Sequence, residues 1–317
     1  MTVISKIISF LTFLVMLLNG TISMGTNPQT TEDVGNTILF FSDYQGSSRS
    51  DNLTNLLAAV DVTPDLIVCG GDYQSYLATS TFSEYGMDEI KEIISSRWDS
   101  ELQYIFVQGN HDPAGVDGLT DTGLYEFDAY YILVIGEDDF PWNQGLTSSG
   151  KKTVQTTAQW LEGVLSELAA EDTGKPVFIT THVPLHYTTR TSLTKDNSYA
   201  NYIFDVVNEY GQYLDIIFMV GHNHSGTYDD YVGGSVIYLD IGDTITVAGM
   251  DEDQTLNFIY MNYGYSGYSY STNTETSTNI LTVAAAVVYD DRIEITRYSE
   301  AGVYCTYDIT LNTALAA

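Results

Sequence analysis

The sequence predicts a single α/β domain with two β-sheets, and three observations carry that reading. Strand-like and helix-like patterns alternate from residue 37 to residue 220. From residue 235 onward the patterns are strand-like. Five short apolar runs upstream of that point each lead into an aspartate, an asparagine or a histidine. Buried strands of α/β sheets read as short continuous hydrophobic runs, and ligand sites gather beyond their C-terminal ends. Five strands delivering such side chains to one edge of a sheet would build a metal site.

The elements follow in order. Residues 1–24 read as a signal peptide: Lys6 gives a short positive start, residues 7–18 are largely apolar, and Gly20, Thr21, Ser23 and Gly25 are small. The apolar core is too short to span a bilayer comfortably, so cleavage and export are expected, to a secreted or cell-surface location with no stable membrane association afterwards. An uncleaved anchor is the alternative. Residues 25–36 read as a linker and residues 37–317 as one domain. Strands are expected at 37–42, 65–69, 103–108, 177–181 and 215–220, and helices at 51–60, 84–98, 154–168 and 199–210. The 154–168 helix carries Trp160, Leu161, Val164, Leu165 and Leu168 at helical spacing, which makes one apolar stripe. Strands at 236–240, 244–248, 256–261, 280–289, 292–298 and 303–311 are expected to complete a second sheet. Asp290-Asp291 forms a hairpin turn, and the Tyr-rich stretch 262–279 a surface loop.

Composition narrows the partners. The net charge is −31, and loss of Lys6 with the leader leaves 10 basic against 42 acidic residues. Such a surface repels nucleic acid and anionic membranes, and favours small substrates held by local cations. With 25 Tyr, 12 Phe and 3 Trp the chain has ample core material. Cys69 and Cys305 are the only cysteines; they could pair in an exported protein, or Cys69 could be a buried free thiol.

The five histidines fall in three clusters behind apolar runs. YIFVQ leads into Gly109-Asn110-His111-Asp112, VFITT into His182 with His186 four residues on, and IIFMV into Gly221-His222-Asn223-His224. Two further runs end at Asp43 and at Gly70-Gly71-Asp72. Oxygen and imidazole donors suit divalent Zn, Mn or Fe, and two histidines at i and i+2 after a strand can face two adjacent metals. An Asp after a strand is most often a cap or turn residue. The recurrence of Asp43 and Asp72, one per strand–helix unit, argues for a metal role. His186 is assigned a role in supporting the substrate or a metal ligand, against simple packing behind Pro184.

The ordered set Asp43, Gly71-Asp72, Gly109-Asn110-His111-Asp112, His182 and Gly221-His222-Asn223-His224 resembles the calcineurin-like metallophosphoesterase superfamily, over about residues 37–300. The resemblance implies a two-sheet β-sandwich flanked by helices, a dinuclear centre of Mn, Fe, Zn or Co type, and hydrolysis of a small phosphomonoester or phosphodiester. It places Asp43, Asp72 and His224 on one metal and Asp72, Asn110, His182 and His222 on the other, with Asp72 bridging. Water activated between the ions would attack phosphorus. His111 would touch the phosphoryl oxygen and protonate the leaving group, oriented by Asp112.

One position departs from the pattern. Where the family's first motif reads Asp-x-His, this chain reads Asp43-Tyr44-Gln45. A glutamine oxygen binds metals more weakly than imidazole, so Gln45 is a direct ligand, a ligand through water, or none. Purple acid phosphatases also omit that histidine, but use a Tyr where this chain has Ser75, so no tyrosinate–iron centre is expected. The residues leave a second class open: a non-catalytic phosphate- or metal-binding protein whose first metal site has decayed through Gln45.

Overall fold

In a computed structural model the chain is described at residues 35–46, 50–74, 80–98, 101–142, 149–186, 199–222, 236–267 and 280–312. The expected leader and most of the linker lie outside those residues. Gly35–Ala317 forms one compact unit.

The first strand shows how the layers arise. β1 (Asn36–Phe41) turns Ile38 and Phe40 to one side and Leu39 and Phe41 to the other, and all four are fully buried. Successive side chains of a strand point to opposite faces, so a continuous apolar run needs cover on both. Ile38 and Phe40 meet Phe178, Met219 and Ile295 between two sheets. Leu39 and Phe41 pack outward on α1 (Ser50–Ala59) and α2 (Ser80–Arg97) through Leu53, Leu57, Ile90 and Ile94. Each such side chain contributes about 1.5–3 kcal/mol on burial.

The first sheet has the order β14-β13-β12-β1-β2-β3. Here β2 is Leu66–Cys69, β3 Gln103–Phe106, β12 Val283–Val288, β13 Arg292–Ser299 and β14 Gly302–Thr310. β1, β2 and β3 are parallel, and β12 joins β1 antiparallel. The second sheet runs β4-β5-β6-β7-β11-β8, from Gly123–Glu126, Tyr131–Ile135, Val177–Thr181, Ile216–Val220, Ile259–Asn262 and Tyr238–Leu239 respectively. Its β5, β6, β7 and β11 are parallel. A two-stranded β9–β10 pair (Thr244–Ile245 and Gln254–Thr255) stands apart. α3 (Gly150–Glu171) and α4 (Asn201–Tyr210) cover the second sheet, with Val154, Leu161, Leu165 and Leu168 of α3 buried on it as the stripe requires.

Two expectations need correction. The C-terminal third does not simply complete a second sheet: β8 and β11 enter it, whereas β12, β13 and β14 extend the first. Apolar alternation states that a strand is half or wholly buried, not which sheet receives it. The expectation also omits β4 and β5. Tyr131–Ile135 is buried along its whole length. Cys69 and Cys305 are both free thiols, the first buried on β2 and the second half-buried on β14.

Candidate metal centre

The C-terminal ends of β1, β2 and β3 meet those of β6 and β7 at one end of the sandwich. The expected ligands therefore converge from two sheets rather than along one edge. Gly70 N donates to Phe41 O at 2.8 Å and Val107 N to Cys69 O at 2.9 Å, extending the first sheet toward the site. Gly221 N donates to His182 O at 3.0 Å and does the same for the second. The sheets are stitched together where His182 Nδ1 donates to Gly70 O (2.7 Å) and His222 N to Asp43 Oδ2 (3.1 Å).

Four side chains form a tight quartet there. His182 Nε2 lies 3.4 Å from Asp72 Oδ1, 3.0 Å from Asn110 Oδ1 and 3.3 Å from His222 Nδ1. Asn110 Oδ1 lies 2.7 Å from His222 Nδ1. Ligands 2.0–2.2 Å from a tetrahedral ion sit about 3.3–3.6 Å apart, so the quartet has nearly that spacing already. Asp72, His182 and His222 are all buried and together form a group able to hold a metal ion. Asp72 Oδ2 is buried without a hydrogen-bond donor among the described residues, the condition of a carboxylate oxygen kept for a cation. With Nδ1 of His182 committed to a carbonyl, its Nε2 is the nitrogen directed at the quartet. The donor set fits the metal that the sequence implies.

Glycine permits this approach at two points. A Cβ on Gly109 would meet Asp72 N at 2.3 Å and Asp72 Oδ1 at 2.4 Å. Gly71 adopts φ +98°, and a Cβ there would meet Gly109 Cα at 2.7 Å. Strain gathers at the same place. Among the described residues five non-glycines have positive φ, and four of them are Asp43 (56°), Gln45 (57°), Asp72 (59°) and His222 (69°). Such conformations cost of order 1–3 kcal/mol each and persist where neighbours impose them. Gln45 N is held by Asp72 O at 3.0 Å, and Asp43 N by Gly71 O at 3.0 Å.

The remaining predicted residues are placed unequally. Asp43 is buried, its Oδ2 also accepting from Ser42 Oγ at 2.8 Å. Gln45 is buried on the loop beside it. His224 lies outside the described residues. His111 donates its backbone N–H to Asp72 Oδ1 (2.9 Å), and its half-exposed ring holds Nε2 3.9 Å from Asp72 Oδ2. Asp112 ties neighbouring loops together: its carboxylate receives Asp72 N (2.8 Å), Gly109 N (3.0 Å), Tyr73 N (3.2 Å) and Ser83 Oγ (2.9 Å). It thus locks the second-motif loop to the third. His186 Nδ1 shares a hydrogen bond with Tyr260 Oη at 2.8 Å, against the edge of that ring.

Sequence reasoning missed two residues beside the quartet. Glu137, just past β5, accepts Trp142 N on its carboxylate, and the Trp142 ring lies 6.1 Å from that of His222. The missing signal was the run YYILVIGE, another apolar strand ending in an acid.

Charge is tightly coupled in this buried setting. Burial works against the charged form of Asp72, but His182 beside it outweighs that and holds the carboxyl well below the usual range. Burial likewise opposes a charged His182, and the Asp72 carboxylate overrides it, pushing His182 up to about 10. Asp112 is pushed up to about 7 by burial and by the Asp72 charge, against the pull of its hydrogen bonds. Glu137 is raised to about 7, mainly by burial.

Residues 36–226 match the Calcineurin-like phosphoesterase family. Among solved structures, a dimetal phosphatase from Danio rerio is similar at TM-score 0.51 and 15% identity, covering 88% of this chain and 100% of that one. GAP50, the anchor in the inner membrane complex of Plasmodium, is similar at TM-score 0.55 and 10% identity, covering 88% of this chain and 91% of that one. At these identities the likeness establishes the fold. No curated protein matches the sequence. The family match spans more than half of the chain, and its two-sheet sandwich ends in the Asp–Asn–His–His quartet: the chain belongs to the calcineurin-like phosphoesterases, hydrolases that act on phosphoester bonds.

Proposed function

We propose that this chain is an exported, dinuclear-metal-dependent phosphoesterase that hydrolyses a small phosphomonoester or phosphodiester. The observation that carries the reading is the quartet of buried Asp72, His182 and His222 with part-buried Asn110, spaced for one cation at the junction of the two sheets. Those four would hold one ion of Mn, Fe, Zn or Co type. Asp43, Asp72 and His224 would hold a second, with Gln45 at the position of the family's histidine. When bound, such ions supply an activated water and neutralise charge on the phosphoryl oxygens.

The rest falls to the chain's own side chains. His111 is the half-exposed member of the cluster, on the solvent side of the fully buried Asp72. It faces substrate and delivers the proton that the leaving oxygen needs, a task suited to imidazole near neutral pH. Asp112 does not touch substrate. As a positioning residue it gathers three backbone N–H groups, so that Asp72 and Asn110 are presented from fixed loops. Export rests on the leader-like residues 1–24, and the acidic composition favours a small substrate over nucleic acid.

The decisive experiment loads metal-free protein separately with Mn, Zn, Fe or Co. It measures bound equivalents together with hydrolysis of p-nitrophenyl phosphate and bis(p-nitrophenyl) phosphate. Turnover with two equivalents bound is expected. Inactivity with every metal at full occupancy would favour the second reading, a non-catalytic phosphate- or metal-binding protein. Gln45 is the observation that keeps that reading in play, since an amide oxygen is a poorer ligand than imidazole.

A further inference from the structure

One turn beside the quartet has no part in the chemistry above. After β5, residues 136–142 (GEDDFPW) fold back on themselves. Asp139 N and Phe140 N both donate to Gly136 O, at 3.1 and 3.0 Å, and Trp142 N donates to Glu137 Oε1 at 3.3 Å. The turn is anchored on three sides. Phe140 is fully buried in the core under α3. Thr157 Oγ1 of α3 donates to Asp139 O at 2.7 Å. Asp138 N donates to Gln108 Oε1 (3.1 Å), and Gln108 Nε2 donates to Asp112 O (3.2 Å), joining the turn to the third-motif loop. Pro141, with its fixed φ, precedes the last residue.

That last residue is Trp142. Its ring is tilted 35° to the His222 ring at 6.1 Å between centroids, so the indole stands one imidazole away from the quartet. Trp142 is partly buried, one side packed on the core cluster of the second sheet. Its indole N–H has no acceptor among the described residues.

We propose that Trp142 is a substrate platform, selecting phosphoesters whose ester oxygen carries a flat aromatic group. The inference rests on the phosphoesterase reading of the adjacent centre. Three features point to it. The ring is held by a turn pinned to the core and to the third-motif loop, so stacking costs little ordering entropy. It lies 6.1 Å from the ring of His222, a proposed metal ligand, and so borders the place where a phosphoester would bind. Finally, with a net charge of −31 the protein cannot attract an anionic substrate through its general field, and stacking is a contact that this charge does not oppose.

The competing role, propping the His222 ring, predicts different behaviour. The full chain loaded with Mn is titrated calorimetrically with phenylphosphonate and with methylphosphonate, neither of which it can hydrolyse at an ester bond. Wild type should prefer the phenyl compound. Trp142→Leu should reduce that preference roughly three- to tenfold, the range an aromatic pair contributes. Trp142→Phe should keep most of it, and metal content should stay constant. Equal loss for both phosphonates, loss of metal in Trp142→Leu, or a wild type that does not discriminate would each overturn the platform. Turnover of phenyl phosphate, followed in parallel, separates the two claims. Aromatic preference without turnover of phenyl phosphate or of diphenyl phosphate would move the centre to the non-catalytic reading and leave Trp142 a platform for aryl phosphonates; turnover without preference overturns the platform alone.

Discussion

His182 Nε2 stands 3.4 Å from Asp72 Oδ1, the two side chains reaching each other from different sheets and neither exposed to solvent. Without a cation between them they form an ion pair. Asp72 is held well below the usual carboxylate range, and His182 is pushed up to about 10. The pair is therefore the proton-loaded counterpart of the metal centre, and a cation must displace the proton that His182 holds.

Metal uptake should accordingly release a proton, and affinity should rise with pH toward about 10. Calorimetry in buffers of different ionisation enthalpy reads the proton directly. The metal-free protein should show the linked stability. A histidine raised in the fold contributes fully below its ordinary value of about 6.5, and loses that contribution as pH rises toward 10. Asp72, depressed in the fold, contributes above the ordinary carboxylate range and loses its share as pH falls through it. Thermal melts of chelated protein should thus decline between pH 6.5 and 10, and His182→Gln should flatten that decline. A wild-type profile identical to that of the variant would remove the ion pair from the account.

Asp112 accepts three backbone N–H groups and one hydroxyl. Asp112→Asn places an NH₂ against donors on one side, leaving at least one buried N–H unpaired. The expected cost is about 1–3 kcal/mol of stability, read as a lower denaturation midpoint. Because the loops carrying Asp72 and Asn110 are both released, metal affinity should fall too. Loss of activity with stability and metal content intact would instead return Asp112 to orienting His111.

Much of the site was legible because each strand end joins a short apolar run to a side chain with one chemical use. Asp72, Asn110, His182 and His222 are such cases. What local pattern does not carry is whatever depends on a distant partner. The donors to Asp112 include Asp72 and Tyr73, about forty residues upstream, and no local pattern announces them. The partner of His186 Nδ1, Tyr260 on β11, lies 74 residues downstream, where no local pattern points to it. The antiparallel pairing of β12 with β1 joins residues some 250 positions apart, beyond the reach of periodicity. Glu137 was missed because β5 was, although its run of buried residues resembles the others.

His111→Ala should lower kcat about 10²–10⁴-fold while leaving metal stoichiometry unchanged. The loss should depend on the leaving group. An alkyl phosphate, whose alkoxide needs a proton, should suffer far more than p-nitrophenyl phosphate. A uniform loss across leaving groups would show that His111 binds the phosphoryl group without donating a proton.

On the proposed two-ion reading, Gln45 is the residue expected to set how evenly the two metal positions are filled. Its backbone is held in the left-handed region at φ 57°, with its N–H fixed by Asp72 O, so the side chain issues from a defined point next to Asp43. The quartet does not include it. An imidazole at that point would restore the Asp-x-His form of the first motif, without disturbing Asp72, Asn110, His182 or His222. Gln45→His should therefore tighten the weaker of two binding steps, on the order of tenfold or more, and leave the stronger step where it is. Calorimetric titration of metal-free protein with Mn or Zn resolves the two. If both steps stay fixed, Gln45 stands outside the coordination of either ion. If the stronger step moves, the division of ligands between the ions is wrong.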